Sequence, residues 1–215
     1  PEPLVRMDPL TRGSLFHEVQ AKFHRALKAE GRLPLTPAGV PAAVRDIERI
    51  LAAVAAEYAE RLAPAIERVW VDEIGELRRD LGIWVQRMAG EATWIPTYFE
   101  FSFGLRDEGR DPESLEDPIT VDHRFILRGS VDLIEQRADG SALRITDHKT
   151  GKNRTTRDTI VGGGEVLQPV LYSAAIAQGL GRTVAEGRLY YCTTAGGFSS
   201  HPIPIDDYTV KQGLQ

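Results

Sequence analysis

The spacing of apolar residues changes character near residue 90, and that change divides the chain into a helical part and a sheet part. Before it, apolar positions recur every three or four residues. Leu15, Phe16, Val19, Phe23, Ala26 and Leu27 form one stripe, predicting a helix from Ser14 to about Glu30, with Ser14 as N-cap and Gly31 as its stop. His24 lies off that stripe and reads as surface. Gly31 to Gly39 is a Pro/Gly loop. An Ala-rich helix follows from Pro41 to about Leu62, and a third runs from Pro64 to about Met88 through Ile66, Val69, Trp70, Ile74, Leu77, Leu81 and Val85. Gly75 and Gly82 weaken the continuity of that third helix.

After residue 90 the pattern alternates. Trp94 to Phe103 is aromatic and reads as a strand. The acidic, Pro-containing stretch Gly104–Thr120 reads as a mobile surface loop. Arg128–Glu135 and Leu143–Lys152 then flank Ala138-Asp139-Gly140-Ser141, and Asp-Gly between apolar runs predicts a hairpin with a two-residue turn. In that register Asp132 faces Asp147, and Ser130 faces Lys149. A Gly162–Gly164 linker precedes a helix from Glu165 to Gln178 that stops at Gly179, and two strands follow, Arg188–Thr194 and Phe198–Ile205. Helices, strands, helix, strands: the order predicts one α/β or α+β domain over residues 1–215, a mixed central sheet flanked by helices, with a helical portion at about 14–90 and a sheet core at about 94–205.

Composition narrows the function. With 215 residues and 42% hydrophobic positions, the chain supports one sizeable core. It has no apolar run long enough to span a membrane. The single cysteine, Cys192, suits a reducing cytoplasm and excludes an iron–sulfur cluster or zinc site built from this chain's cysteines. Pro1-Glu2-Pro3-Leu4 carries neither an initiator Met nor a signal-peptide pattern, and reads as a cut from a larger protein. A net charge of −5 disfavours a histone-like binder, yet Lys149, Lys152, Arg154 and Arg157 leave a local basic rim that could track phosphates.

Two carboxylates facing each other across a ladder repel and call for a cation that Lys149 alone cannot supply. A divalent metal can. Asp132, Asp147 and Lys149 offer hard oxygen ligands and a positive charge, the set that metal-assisted phosphodiester hydrolysis needs. The plainer alternative is a surface hairpin whose Asp and Lys pair in solvent. The apolar neighbours Val131, Leu133, Ile134 and Ile145 argue instead for a central hairpin, where unpaired charge is expensive.

Gly-Ser-Val-Asp at 129–132, Asp-His-Lys-Thr-Gly-Lys at 147–152, Gln-Pro-Val-Leu-Tyr at 168–172 and the upstream Gly13-Ser14-Leu15-Phe16-His17 occur in order along most of the chain. Together they resemble the RecB-like branch of the PD-(D/E)xK nuclease superfamily, with its restriction-endonuclease-like core. The resemblance implies a DNA nuclease, of exonuclease character, fused to or partnered with a helicase in DNA end processing and recombinational repair. It implies Mg²⁺ or Mn²⁺ held by His17, Asp132, Asp147 and the backbone carbonyl of His148, with Lys149 orienting the attacking water or neutralising the pentacovalent phosphorane. It places Gln168 and Tyr172, four apart on one helical face, at the border of the active site, where they contact the nucleic-acid backbone or orient catalytic groups. Glu100 stays open between a solvent-facing strand residue and an acid behind the site. Four cysteines found in several RecB-like nucleases are missing, so the resemblance is to the cluster-free members or marks an atypical relative. Two competing functions are a non-catalytic nuclease-like module that binds DNA or organises a helicase, and a structure-specific or RNA-directed endonuclease.

Overall fold

In the computed structural model, residues 6–106, 108–153, 167–206 and 209–210 are described. They group into two compact units: residues 6–91 with 149–152 and 192–198, and residues 92–106, 108–148, 153, 167–191, 199–206 and 209–210.

The first unit is built on three helices: α1 (Pro9–Ala29), α2 (Val40–Leu62) and α3 (Glu67–Met88). Helix α1 starts earlier than Ser14, because Asp8 is the better cap: its Oδ1 accepts from the backbone N–H groups of Leu10 and Thr11, both at 3.0 Å, and Pro9 occupies the first turn. The stripe Leu15, Phe16, Val19, Phe23 and Leu27 is buried, as are Ile47, Leu51 and Val54 of α2 and Leu77, Leu81, Trp84 and Val85 of α3. Neither Gly75 nor Gly82 interrupts α3. His24 is not a surface residue. It is buried against Trp84, ring centroids 5.1 Å apart, and Phe23 meets the same indole edge-on. The short segments of this unit are tied down by side chains. Asp80 of α3 accepts from the N–H and hydroxyl of Thr194, at 3.0 and 2.5 Å, and the Thr193 hydroxyl donates to the Thr150 carbonyl at 3.0 Å.

The second unit carries a five-stranded mixed sheet: β1 (Trp94–Phe103), β4 (Gly129–Arg137), β5 (Leu143–Lys149), β6 (Val184–Tyr191) and β7 (Ser200–Pro204), in that spatial order. A separate ribbon pairs β2 (Ile119–Val121) with β3 (Phe125–Leu127), and α4 (Leu167–Leu180) connects β5 to β6. The pairs β1–β4, β4–β5 and β6–β7 are antiparallel. Strands β5 and β6 run the same way, since Leu143 bonds to Thr183 at one end and Cys192 to Lys149 at the other. One face of the sheet packs Phe101, Phe103, Val131, Ile134, Leu143 and Ile145 against Ala175 and Ile176 of α4.

Among the described residues, the stretch after Gly104 is tied to the sheet rather than detached from it. It runs along the outer edge of β1: Asp111 N–H bonds to Glu100 O, and Leu115 N–H to Ser102 O, both at 2.9 Å. The buried Asp111 carboxylate accepts from Phe99 N–H at 2.9 Å. At the opposite edge, the bonds from Tyr191 to Ser199 and from Ile205 to Ala185 fix which positions of β7 face β6. Ser200, Pro202 and Pro204 therefore present their nitrogens outward.

The hairpin register is the one read from sequence, with Leu133 opposite Thr146, Ile134 opposite Ile145 and Glu135 opposite Arg144. The turn is wider. The last closing bond runs from Arg137 N–H to Ala142 O, and Gly140 N–H bonds back to Arg137 O. Ala138 and Asp139 are thus the central turn residues, with Gly140 at φ 76° taking the left-handed position that glycine adopts without strain. Adding one residue to each arm of the loop leaves the register unchanged.

Candidate active site

Strand alternation slips where β1 and β4 meet the hairpin mouth. Tyr98 and Phe101 share a face although three apart, and so do Val131 and Ile134. Glu100, with φ 55°, is the residue that breaks the period. It lies between the pairs Phe99–Leu133 and Phe101–Val131, at the position across from Asp132. A non-glycine residue in the left-handed region inside a strand costs free energy, and such strain concentrates where a side chain must be re-aimed.

Asp132 is the side chain affected. The β4–β5 pairing extends as far as Leu133–Thr146. Continued further, the His148 N–H would meet the Val131 carbonyl; it donates instead to Oδ2 of Asp132 at 2.7 Å. The carboxylate enters the space between two strands that are parting, half-buried and fixed by a charge-assisted bond. A carboxylate oxygen of Asp132 and a ring nitrogen of His148 lie within 4.8 Å of each other. Asp147 and Lys149, both half-buried, flank His148 on β5 and leave the strand on the side opposite its ring. The carbonyl of Lys149 accepts from Cys192 N–H at 3.0 Å, which holds the end of β5.

Beneath His148, on the same face of the sheet, lies an ion network that the sequence motifs do not include. Glu135 is bound at both oxygens by Arg144, at 2.7 and 2.8 Å, and also by Arg188 at 3.0 Å and the Thr146 hydroxyl at 2.7 Å. Burial pushes this carboxyl up, but the Arg188 charge and the Arg144 and Thr146 hydrogen bonds outweigh it and hold the pKa at about 2. A signal for it exists in the chain, since the hairpin register sets Glu135 opposite Arg144. Arg188 stacks on Tyr190, 5.1 Å from its ring centroid, and Tyr190 meets the His148 ring at 5.9 Å. The imidazole thus rests on a column rooted in the buried Glu135.

The Gln168–Tyr172 motif sits on α4, both residues half-buried. Tyr172 lies over Gly129, where an added Cβ would stand 2.5 Å from its Cζ, and it meets Phe103 edge-on at 5.4 Å. The glycine of the first motif and the tyrosine of the third are therefore in direct contact. His17 is half-buried on α1 in the helical unit, and Lys152 is exposed. Arg154, Arg157 and the Gly162–Gly164 run lie outside the described residues.

The sequence profile of the PD-(D/E)XK nuclease superfamily matches residues 1–211. The chain belongs to that superfamily. Its members are typically metal-dependent nucleases, and the mixed sheet with its helical N-terminal part is consistent with the PD-(D/E)XK fold. No curated protein matches the chain with significance. The donor set of this PD-(D/E)XK chain fits a divalent metal: the Asp132 carboxylate and the His148 imidazole stand close enough to share one ion. Among the described residues, no helix is long and apolar enough to cross a membrane.

Proposed function

We propose that this chain is a DNA nuclease of the RecB-like branch, a metal-dependent phosphodiesterase of exonuclease character acting in end processing and recombinational repair beside a helicase. The observation that carries this reading is the bond from His148 N–H to Asp132 Oδ2 where the ladder opens, next to Asp147 and Lys149. A structural hairpin has no reason to break its ladder for a carboxylate. In the proposed site Asp132 and Asp147 hold Mg²⁺ or Mn²⁺ through their side chains, the His148 carbonyl contributes, and His17 is a further ligand. Bound there, the ion activates water and neutralises charge on the phosphoryl oxygens.

Lys149 orients the attacking water or offsets the charge of the pentacovalent phosphorane. Tyr172, lodged over Gly129, supports the start of β4, and with Gln168 it borders the nucleic-acid backbone. Lys152, Arg154 and Arg157 follow the phosphates. The test is cleavage of labelled linear and circular DNA with Mg²⁺ or Mn²⁺ and with EDTA. Loss of linear DNA from its ends, stopped by EDTA, is the expected result. Cleavage of circles or of RNA alone would favour a structure-specific or RNA-directed endonuclease, and binding without any cleavage would favour a non-catalytic module.

A further inference from the structure

We propose that Phe198 and Arg87 form a stacking site for one nucleobase of an unpaired DNA strand. The inference rests on the nuclease reading above and deepens it by naming the form of DNA held there. Every residue it uses belongs to the helical unit.

The chain leaves β6 through residues 192–198, and the last two of these are left-handed: Gly197 at φ 67° and Phe198 at φ 51°. Glycine adopts that angle freely, whereas an aromatic residue there is strained. The Phe198 N–H closes the loop on the Thr193 carbonyl at 3.1 Å, a bond that any residue with an N–H would make. Nor is the ring sunk in the core, since Phe198 is only half-buried. Neither closure nor core packing calls for an aromatic side chain at this angle.

What the ring meets is Arg87 of α3, whose Cζ stands 4.9 Å from its centroid. Arg87 is exposed, and among the described residues no carboxylate pairs with it. A guanidinium stacked on a ring keeps its N–H donors available to a phosphate. The pairing is held in place. Asp80, seven residues before Arg87 and so on the same face of α3, accepts from the Thr194 N–H and hydroxyl and sets the loop against the helix. The same loop is joined to the Lys149–Lys152 segment, by Cys192 N–H to the Lys149 carbonyl and by the Thr193 hydroxyl to the Thr150 carbonyl, both at 3.0 Å. An aromatic ring, a stacked guanidinium and lysines on the adjoining segment make the set that takes a base by its flat face and its phosphates by charge. Bases within a duplex are already stacked, so an unpaired strand is the form that can offer one.

The test variant is Phe198→Leu, which keeps an apolar side chain under Arg87 at the same backbone angle and removes the aromatic face. Anisotropy titrations in EDTA, where the DNA stays intact, compare a single-stranded oligonucleotide with a blunt duplex. We expect single-strand affinity to fall at least about fivefold, with its salt dependence and the duplex affinity little changed. Phe198→Tyr should restore it. Arg87→Ala, at an exposed helical position, should weaken single-strand binding and flatten its log–log salt slope by about 0.7, the value of one phosphate. A 2-aminopurine moved along the strand should dim at one position on the parent and not on Phe198→Leu. Unchanged single-strand affinity in Phe198→Leu, or equal losses on single strand and duplex, overturns the stacking site while leaving the nuclease reading intact. A parent with no measurable affinity for single strands also overturns the stacking site, and one that in addition leaves every DNA uncut with Mg²⁺ or Mn²⁺ overturns both.

Discussion

The carboxylate of Asp132 accepts the backbone N–H of His148 at 2.7 Å, taking the place of a ladder carbonyl at the mouth of the hairpin. Asp132→Asn keeps an acceptor oxygen for that N–H but loses the charge. The variant should melt within a few degrees of the metal-free parent, fail to be stabilised by Mn²⁺, and lose at least about 10²-fold in cleavage rate. Melting curves with and without the ion, beside a nuclease assay, check all three points.

Lys149 and the basic residues after it should separate catalysis from affinity. Lys149→Ala is expected to retain metal stabilisation and DNA binding but to lose about 10²–10³ in rate, the scale of one removed transition-state donor. Replacing Lys152, Arg154 and Arg157 together by Ala should weaken DNA binding and flatten its salt dependence by about 0.9 in log–log slope for each phosphate that is no longer neutralised. Anisotropy titrations across a salt series measure this, and an unchanged slope would remove these residues from the DNA path.

Gly129 is held by a neighbour rather than by its backbone angles. Gly129→Ala should destabilise by roughly 1–3 kcal/mol, because its methyl overlaps the Tyr172 ring. In the background of Tyr172→Ala the same change should cost much less. A double-mutant cycle in urea gives the coupling, and additive effects would show that the tyrosine ring does not govern the glycine.

Glu135 gives the sheet an acid limit. Its folded pKa of about 2 lies below the ordinary 4.5, so its contribution is complete above pH 4.5 and is lost as the pH falls toward 2. The depression corresponds to roughly 3 kcal/mol. Unfolding measured between pH 5 and 2 should show this loss, and Glu135→Gln should flatten the profile. At neutral pH that variant should cost about 3–5 kcal/mol, since the buried Arg144 and the half-buried Arg188 lose this carboxylate and Arg144 keeps its weaker 3.5 Å contact with Glu186.

Much of this was written in local pattern. Helical spacing marks α1 to α3, and the hairpin register that sets Ile134 against Ile145 follows from counting outward from the Asp-Gly pair. What could not be counted was set by competition between distant groups. Ser14 is a sound cap in isolation, but Asp8 followed by Pro9 starts the helix a turn and a half earlier. His24 looks polar and exposed until Trp84, from another helix, closes over it. The acidic loop reads as mobile because nothing local announces that Asp111 will cap Phe99. At the site, motif spacing singles out Asp132, but the left-handed turn at Glu100 opposite it and the switch of the His148 N–H from carbonyl to carboxylate are tertiary events.

The two rims of the sheet bear on how this protein avoids sticking to itself. An open strand edge invites a neighbouring chain to add on, the first step toward aggregation. Here the chain's own segment from Asp111 to Leu115 already occupies the β1 side. On the far side, β7 places Pro202 and Pro204 at outward-facing positions, where proline has no N–H to give. A second molecule approaching the described part of either rim finds the Glu100 and Ser102 carbonyls already bonded and, along β7, only Ser200 with an outward N–H to give, which leaves little for strand addition.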